Sequence, residues 1–345
     1  MLRKIRVLVV EDSLVFRELL VQNLNKDEGI EVVAAARDPF EARDMILKYQ
    51  PDVMTLDIEM PRMDGIEFLQ KLMPQYPMPV VMISSLSDRV FDAMNAGAVD
   101  FVAKPTSTER RAIEEFIRTE LPVKIKIASI AKIHRRRTHA EVVNALHIQK
   151  PTGKCDLIAI GASTGGTEAT FDVLQGLHKD VPGIVVVQHM PAGFTASLAQ
   201  RLDEMSDVQV KEAEDGDIIR RGHVYIAPGG KHLRIVKNGS GHKIQLSDEP
   251  AIEGLRPCAN IMYESLERCD YDEITCVVLT GMGADGTKGI KGLSDRHKKI
   301  YVIAQDEDTS VVYGMPKAIA QTGLVNEVVP LNRVAEVITK NVGVS

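Results

Sequence analysis

A chain of 345 residues, 44% hydrophobic and 26% charged, has room for two globular domains of ordinary composition. A net charge of -6 excludes a general affinity for nucleic acid, and an aromatic fraction of 4% without any Trp argues against stacking platforms for single strands. The four cysteines, Cys155, Cys258, Cys269 and Cys276, have no CxxC spacing, which sets aside a thiolate metal site and fits free thiols in a reducing compartment.

Residues 1–6 are basic, and the apolar stretch 7–10 stops at Glu11 and Asp12, too short for a secretory signal. No apolar run is long enough to cross a bilayer, so a cytoplasmic protein is expected. Short apolar runs then alternate with amphipathic stretches, the pattern of parallel βα units. Runs at 5–10, 31–36, 53–56, 80–83 and 101–103 are the expected strands of a first domain, residues 1–121. Helical spacing fills the gaps, as where Phe16, Leu19, Leu20 and Leu24 share one face. Residues 122–150 are rich in Lys and Arg, and their apolar periodicity fades, which predicts a linker. Its cluster His134-Arg135-Arg136-Arg137 reads as a solvated face, or else as a contact with an acidic surface or lipid headgroups. A second α/β set fills 151–345, with strands expected at 156–160, 184–188, 274–280, 301–304 and 325–329. Residues 223–227 and 232–236 have hairpin character, with Pro228-Gly229-Gly230 as the turn. The fold class is α/β, two doubly wound parallel-sheet domains.

Ligands of open parallel sheets bind beyond the carboxyl ends of the strands. In the first domain those ends carry Glu11 and Asp12, then Asp57, then Ser84 and Ser85, then Lys104. Three carboxylates gathered there repel one another unless a divalent cation sits among them, and a hard oxygen set suits Mg²⁺. A carboxylate beside Mg²⁺ can attack a phosphoryl group to form an aspartyl phosphate, with Lys104 and Ser84 placed to hold its oxygens. Taken singly, each of these residues is also a plausible solvent-facing loop group.

In the second domain the run 157–160 leads into Gly161-Ala162-Ser163-Thr164-Gly165-Gly166, which fits G-x-S-x-G. Glycines permit the sharp turn that presents Ser163, and the following helix offers backbone N–H groups to an oxyanion. The same pattern also suits a phosphate-binding or plain glycine-rich turn. His189 follows the run 184–188, and Asp285 follows the run 274–280 within Gly281-Met282-Gly283-Ala284-Asp285-Gly286. Alone, the first is also a structural histidine and the second a helix N-cap. Together they form a serine triad: His189 takes the hydroxyl proton and Asp285 orients and stabilises the imidazolium. The order Ser, His, Asp differs from the Ser, Asp, His order of α/β-hydrolases.

Residues 5–13, Leu56-Asp57-Ile58-Glu59-Met60-Pro61-Arg62-Met63-Asp64-Gly65 and Phe101-Val102-Ala103-Lys104-Pro105 resemble a response-regulator receiver domain. The resemblance implies a flavodoxin-like fold with Asp57 as phosphoacceptor. It further implies Mg²⁺ held by Glu11, Asp12, Asp57 and the backbone of Glu59, phosphoryl contacts from Lys104 and Ser84, and Phe101 as the aromatic switch. Glu11 stands where many receivers carry Asp, which keeps the charge on a longer arm. Residues 160–167, 187–191 with Phe194, 225–230, Arg256-Pro257 and 279–286 are similar to the catalytic domain of the chemotaxis protein-glutamate methylesterases. That resemblance implies a Rossmann-like hydrolytic domain needing no cofactor, with Ser163 as nucleophile, His189 as base and Asp285 as orienting acid. It places the Met282 N–H as oxyanion donor and Thr164 and Arg256 beside the substrate. Cys258 stands where much of the family has Ser, which leaves the triad intact and bears on substrate contacts.

The implied substrates are glutamyl methyl esters, and certain glutamine amides, on methyl-accepting chemoreceptors. A chemotaxis histidine kinase is the implied phosphodonor, and the expected protein is a monomer that neither enters a membrane nor binds nucleic acid. Two other readings fit the residues: a receiver-controlled serine esterase or amidase with another substrate, and a non-enzymatic response regulator.

Overall fold

The computed structural model describes residues 3–85, 88–105, 109–133, 155–239 and 241–343, which fall into two compact units, one on each side of residue 137. The first holds a parallel sheet of β1 (Ile5–Val10), β2 (Ile30–Ala36), β3 (Val53–Asp57), β4 (Val80–Ser84) and β5 (Asp100–Ala103) in the order β2-β1-β3-β4-β5. Every residue of β3 and β4 is buried, as helices cover both faces of such a sheet, so these strands show no polar alternation. The strand order reverses between β1 and β3, and Val10 lies beside Leu56 in register. The chain therefore leaves two neighbouring strands at Glu11 and Asp57, on the two sides of the crevice that this topology opens. The side chain of Ser13 accepts from the Phe16 N–H and starts α1 (Leu14–Leu24) directly after that acidic pair.

The expected linker does not begin at residue 122. Helix α6 (Leu121–Ser129) follows α5 (Arg110–Thr119) almost without a break and packs against β3, β4 and β5. Leu121, Ile125 and Ala128 are wholly buried, while Lys124 pairs with Asp100 and Lys126 with Asp27 at 2.9 and 2.6 Å. Pro122 fits the first turn, where its missing N–H has no intrahelical partner to lose. The helical spacing is present in the sequence but is obscured by Val123, Ile127 and Ile130, which fill the positions between. Residues 134–150, including the basic cluster, lie outside the described residues.

The second unit holds a seven-stranded parallel sheet. Its members are β6 (Cys155–Ala162), β7 (Gly183–Gln188), β8 (Gln209–Glu212), β9 (His223–Ile226), β12 (Glu273–Val278), β13 (Ile300–Gln305) and β14 (Glu327–Val329), in the order β14-β13-β12-β6-β7-β9-β8. The expected strands are present to within two residues at either end. The expected hairpin is not. β9 lies parallel between β7 and β8, and it is β10 (His232–Asn238) that turns back on β11 (Gly241–Ser247) in an antiparallel pair. Pro228-Gly229-Gly230 carries the chain from the large sheet to this ribbon, and the Gly229 N–H is held by the Thr195 hydroxyl at 2.9 Å. From β6 the chain crosses to β7 on one side and later returns to β12 on the other, so the ends of these three strands border one crevice. Among the described residues no helix is long and apolar enough to cross a membrane.

Candidate functional site

In the first unit, Glu11 and Asp57 are each 1% exposed, and Asp12 beside them is open to solvent. One carboxylate oxygen from each of the three lies within 4.8 Å of the others. Lys104, just beyond β5, bonds Asp57 Oδ2 at 2.6 Å. Its Nζ stands 3.1 Å from Glu11 Oε2 without the alignment of a hydrogen bond, which leaves that buried oxygen unsatisfied. Burial, and then the charge of Asp57, push the Glu11 carboxyl up to about 7 against the pull of Lys104. Burial also raises Asp57, opposed by Lys104 and by the Glu59 N–H, which donates to Asp57 Oδ1 at 3.2 Å. Two desolvated carboxylates sharing one ammonium ion form a site that a small divalent cation would complete, and its donors are all oxygen. Ser84 is wholly buried at the end of β4, and its carbonyl accepts from the Lys104 N–H at 2.8 Å. The neighbouring Ser85 hydroxyl instead donates to the Glu59 carboxylate at 2.6 Å. Phe101 is buried on β5, two residues before the chain leaves that strand.

In the second unit, backbone hydrogen bonds knit the three strand ends together. The Ser163 N–H donates to Thr280 O at 3.0 Å and the His189 N–H to Ala162 O at 3.2 Å. Ser163 sits on the turn from β6 into α7 (Gly166–Gln175). Gly165 in that turn has φ +75°, and a Cβ there would lie 2.7 Å from Val311. Behind the turn the Gln188 amide donates to Ser163 O at 2.8 Å.

His189 Nε2 lies 2.8 Å from Asp285 Oδ2, with both side chains under 10% exposed. The carboxylate accepts widely. Oδ2 also takes the Ala259 N–H at 2.6 Å, while Oδ1 takes the N–H groups of Asn260 and Gly286, both at 2.9 Å, and the Cys258 thiol at 3.2 Å. Burial by itself would raise this carboxyl. The His189 hydrogen bond and charge and the backbone N–H groups outweigh it and hold Asp285 down to about 2. An ionised Asp285 requires the N–H tautomer at Nε2, so Nδ1 is the ring nitrogen left to act as a base. The Ser163 hydroxyl has no hydrogen-bond partner among the described residues. Its side chain lies against Gly281, where a Cβ would stand 2.7 Å from that of Ser163. Ser163 thus sits on a strand end tied by backbone hydrogen bonds to those that carry His189 and Asp285, and no hydrogen bond joins its hydroxyl to the imidazole.

The Gly281 carbonyl accepts from the Gly314 and Met315 N–H groups at 3.0 and 2.8 Å. A trans peptide aims its N–H opposite to its C=O, so the Met282 N–H faces away from that turn, and it donates to no group among the described residues. Thr164 is buried, and its carbonyl accepts from the Thr280 hydroxyl at 3.0 Å. Arg256 is exposed and bonds the carbonyls of Asp248 and Glu249, both at 3.2 Å. It borders the segment whose next residues clasp Asp285.

Sequence reasoning missed part of this clasp. Asn260 supplies its N–H to Asp285, and its side-chain oxygen accepts from Gly286 and Gly289 at 3.0 and 2.9 Å, tying α9 (Ala259–Ser265) to α10 (Thr287–Asp295). No spacing signal marks it. Cys258, expected to bear on substrate contacts, touches the Asp285 carboxylate.

The CheB methylesterase family matches residues 158–338, and the response regulator receiver domain family matches residues 7–115. The protein-glutamate methylesterase/protein-glutamine glutaminase 2 of Syntrophomonas wolfei subsp. wolfei is 48% identical over 344 residues, 98% of each chain. The protein-glutamate methylesterase/protein-glutamine glutaminase of Nitrosomonas europaea is 45% identical and covers 97% of this chain and 95% of its own. The crystal structure of the Thermotoga maritima CheB methylesterase catalytic domain is similar at a TM-score of 0.51 and 40% identity, covering 53% of this chain and 97% of that one. With a receiver domain ahead of a hydrolytic domain that carries serine, imidazole and carboxylate at three neighbouring strand ends, this chain belongs to the CheB methylesterase family.

Proposed function

We propose that this chain is a phosphorylation-activated serine hydrolase that removes methyl groups from glutamyl methyl esters, and deamidates specific glutamines, on methyl-accepting chemoreceptors. The observation that carries the reading is the His189–Asp285 pair at 2.8 Å, with Ser163 on a neighbouring strand end tied to it through the backbone.

Ser163 Oγ attacks the ester carbonyl as its proton passes to His189 Nδ1, and the buried Asp285 stabilises the imidazolium. The Met282 N–H receives the negative charge that develops on the carbonyl oxygen. His189 returns the proton to the leaving methanol, then draws one from water as the acyl-enzyme is hydrolysed. A glutamine amide follows the same course and releases ammonia, more slowly because its leaving group is poorer. Thr164 and Arg256 border the substrate.

In the receiver, Asp57 accepts a phosphoryl group from a chemotaxis histidine kinase. Glu11, Asp12, Asp57 and the Glu59 backbone would hold Mg²⁺, which neutralises the carboxylates toward an incoming anion. Lys104 exchanges its contact with the Asp57 carboxylate for the phosphoryl oxygens, Ser84 adds a hydroxyl, and Phe101 rotates with it. Such a modification activates the hydrolase only by favouring its active state over its restrained one. The protein works in the cytoplasm as a monomer.

The test is methanol release from methylated receptor, with and without a small-molecule phosphodonor. The Ser163→Ala protein should keep its fold, by circular dichroism and thermal unfolding, and release none. Retained turnover would remove Ser163 as nucleophile, and turnover of small esters with none of receptor would assign a different substrate.

A further inference from the structure

We propose that Cys258 is a positioning residue of the triad, whose thiol donates to Asp285 and sets how strongly that carboxylate draws a proton onto His189. The inference rests on the triad reading above. Cys258 is 1% exposed, and its Sγ lies 3.2 Å from Asp285 Oδ1. Three backbone N–H groups also reach the carboxylate, fixed by the starts of α9 and α10. Among the described residues Cys258 and His189 are the side chains that donate to it.

The thiol has no nucleophilic task here. Burial first, and then the negative charge of Asp285, push it up to about 12, so it remains an S–H donor across the working range. An S–H is a weak donor, so it drains little charge from Oδ1 and leaves Asp285 a strong partner for the imidazolium. The other ionisable group facing the carboxylate is Tyr263 on α9, whose hydroxyl is committed to the carbonyls of Ala159 and Val277 at 3.2 and 2.9 Å. On α10, Lys288 turns outward, 84% exposed, 3.8 Å from Glu264 of α9.

Two substitutions displace the balance in opposite directions. In Cys258→Ser a stronger donor draws charge from Oδ1, the imidazolium loses support, and the acid limb of kcat/KM moves to lower pH. In Cys258→Ala the side-chain donor at Oδ1 is gone, the carboxylate binds the imidazolium more tightly, and the limb moves to higher pH. The Ser displacement should be about half a pH unit, a roughly threefold change in rate on the limb, and the Ala displacement smaller, because the thiol it removes is the weaker donor. A packing role would change stability or kcat without moving the two limbs apart.

The experiment measures methanol release from methylated receptor by the full-length chain, with phosphodonor present, from about pH 5 to 9. Receiver titrations are common to all three proteins and cancel in the comparison. Opposite displacements support the proposal, and limbs that coincide with the parent overturn it. If the Ala protein does not fold, the Ser protein decides alone: a limb at lower pH supports, an unmoved limb refutes. Ser163→Ala is assayed alongside. If that variant turns over, the triad reading itself fails. If it is inactive while both Cys258 variants keep the parent limb, only the role of Cys258 is lost.

Discussion

Replacing Asp285 by Asn keeps the shape of the side chain and removes its charge, and the surrounding donors make the outcome calculable. Oδ2 accepts from His189 and Ala259, and Oδ1 from Cys258, Asn260 and Gly286. An amide offers one oxygen, so either orientation turns an NH₂ group toward a backbone N–H. If the NH₂ takes the Oδ2 position, His189 must present a bare Nε2 and carry its proton on Nδ1, which disables the base. In the other orientation it confronts three donors. An Asp→Asn change in serine-protease triads costs about 10⁴ in kcat through this tautomer effect, and a loss of about 10³ to 10⁴ is expected here. Stability falls as well. Asp285 is held at about 2, roughly two units below an unfolded carboxyl, which corresponds to about 2.5 kcal/mol and a drop of about 5–10 °C in the Tm of the catalytic unit. A depressed carboxyl contributes its full stabilisation above the unfolded value near pH 4 and loses it as the pH falls through about 2. The Tm gap between parent and variant should therefore shrink by about half between pH 7 and pH 3. Methanol release and scanning calorimetry measure the two effects. Turnover within tenfold of the parent, or a gap that does not change with pH, would refute the reasoning.

Asp57→Asn should leave methanol release at its basal rate whether or not phosphodonor is added; an undiminished response would place the acceptor elsewhere. The receiver pocket should show the opposite pH dependence from the catalytic acid. Glu11 is raised to about 7, so its favourable contribution is full below about pH 4.3 and is lost as the pH climbs through 7 in the metal-free protein. Mg²⁺ binds the ionised carboxylates, so it should raise the thermal midpoint of the receiver more at pH 8 than at pH 5.5, relative to EDTA. Equal increments at the two pH values would show that Glu11 and Asp57 do not share the cation.

What the sequence revealed, and what it hid, follows from which groups leave a pattern. Strands such as β3 and β4, covered on both faces, appear as unbroken apolar runs, and the residues just past them mark the crevices. Glu11, Asp57, Lys104, Ser163, His189 and Asp285 were legible for that reason. β8 and β11 were not: one is an edge strand ending in Lys211 and Glu212, and the other buries only Ile244. Pro228-Gly229-Gly230 signals a change of direction but not whether the chain doubles back on its own strand or moves to another sheet. The clasp around Asp285 comes largely from backbone N–H groups, which every residue but proline carries and no motif records. Asn260 belongs with them, because its work depends on a meeting of two helix starts rather than on spacing along the chain.

The Gly281 peptide, locked by the N–H groups of Gly314 and Met315, carries a consequence for any mutational survey of this protein. Met282 contributes an amide hydrogen that all residues except proline possess, and its own side chain projects into solvent, 46% exposed. On the proposed mechanism, a survey that exchanges side chains would therefore score position 282 as permissive. The penalty would fall instead on Gly314, where an added methyl would press within 2.6 Å of the Gly281 oxygen and tilt the whole amide plane. On such a map intolerance would collect at a residue with no side chain at all, one strand-loop away from the residue whose hydrogen is needed.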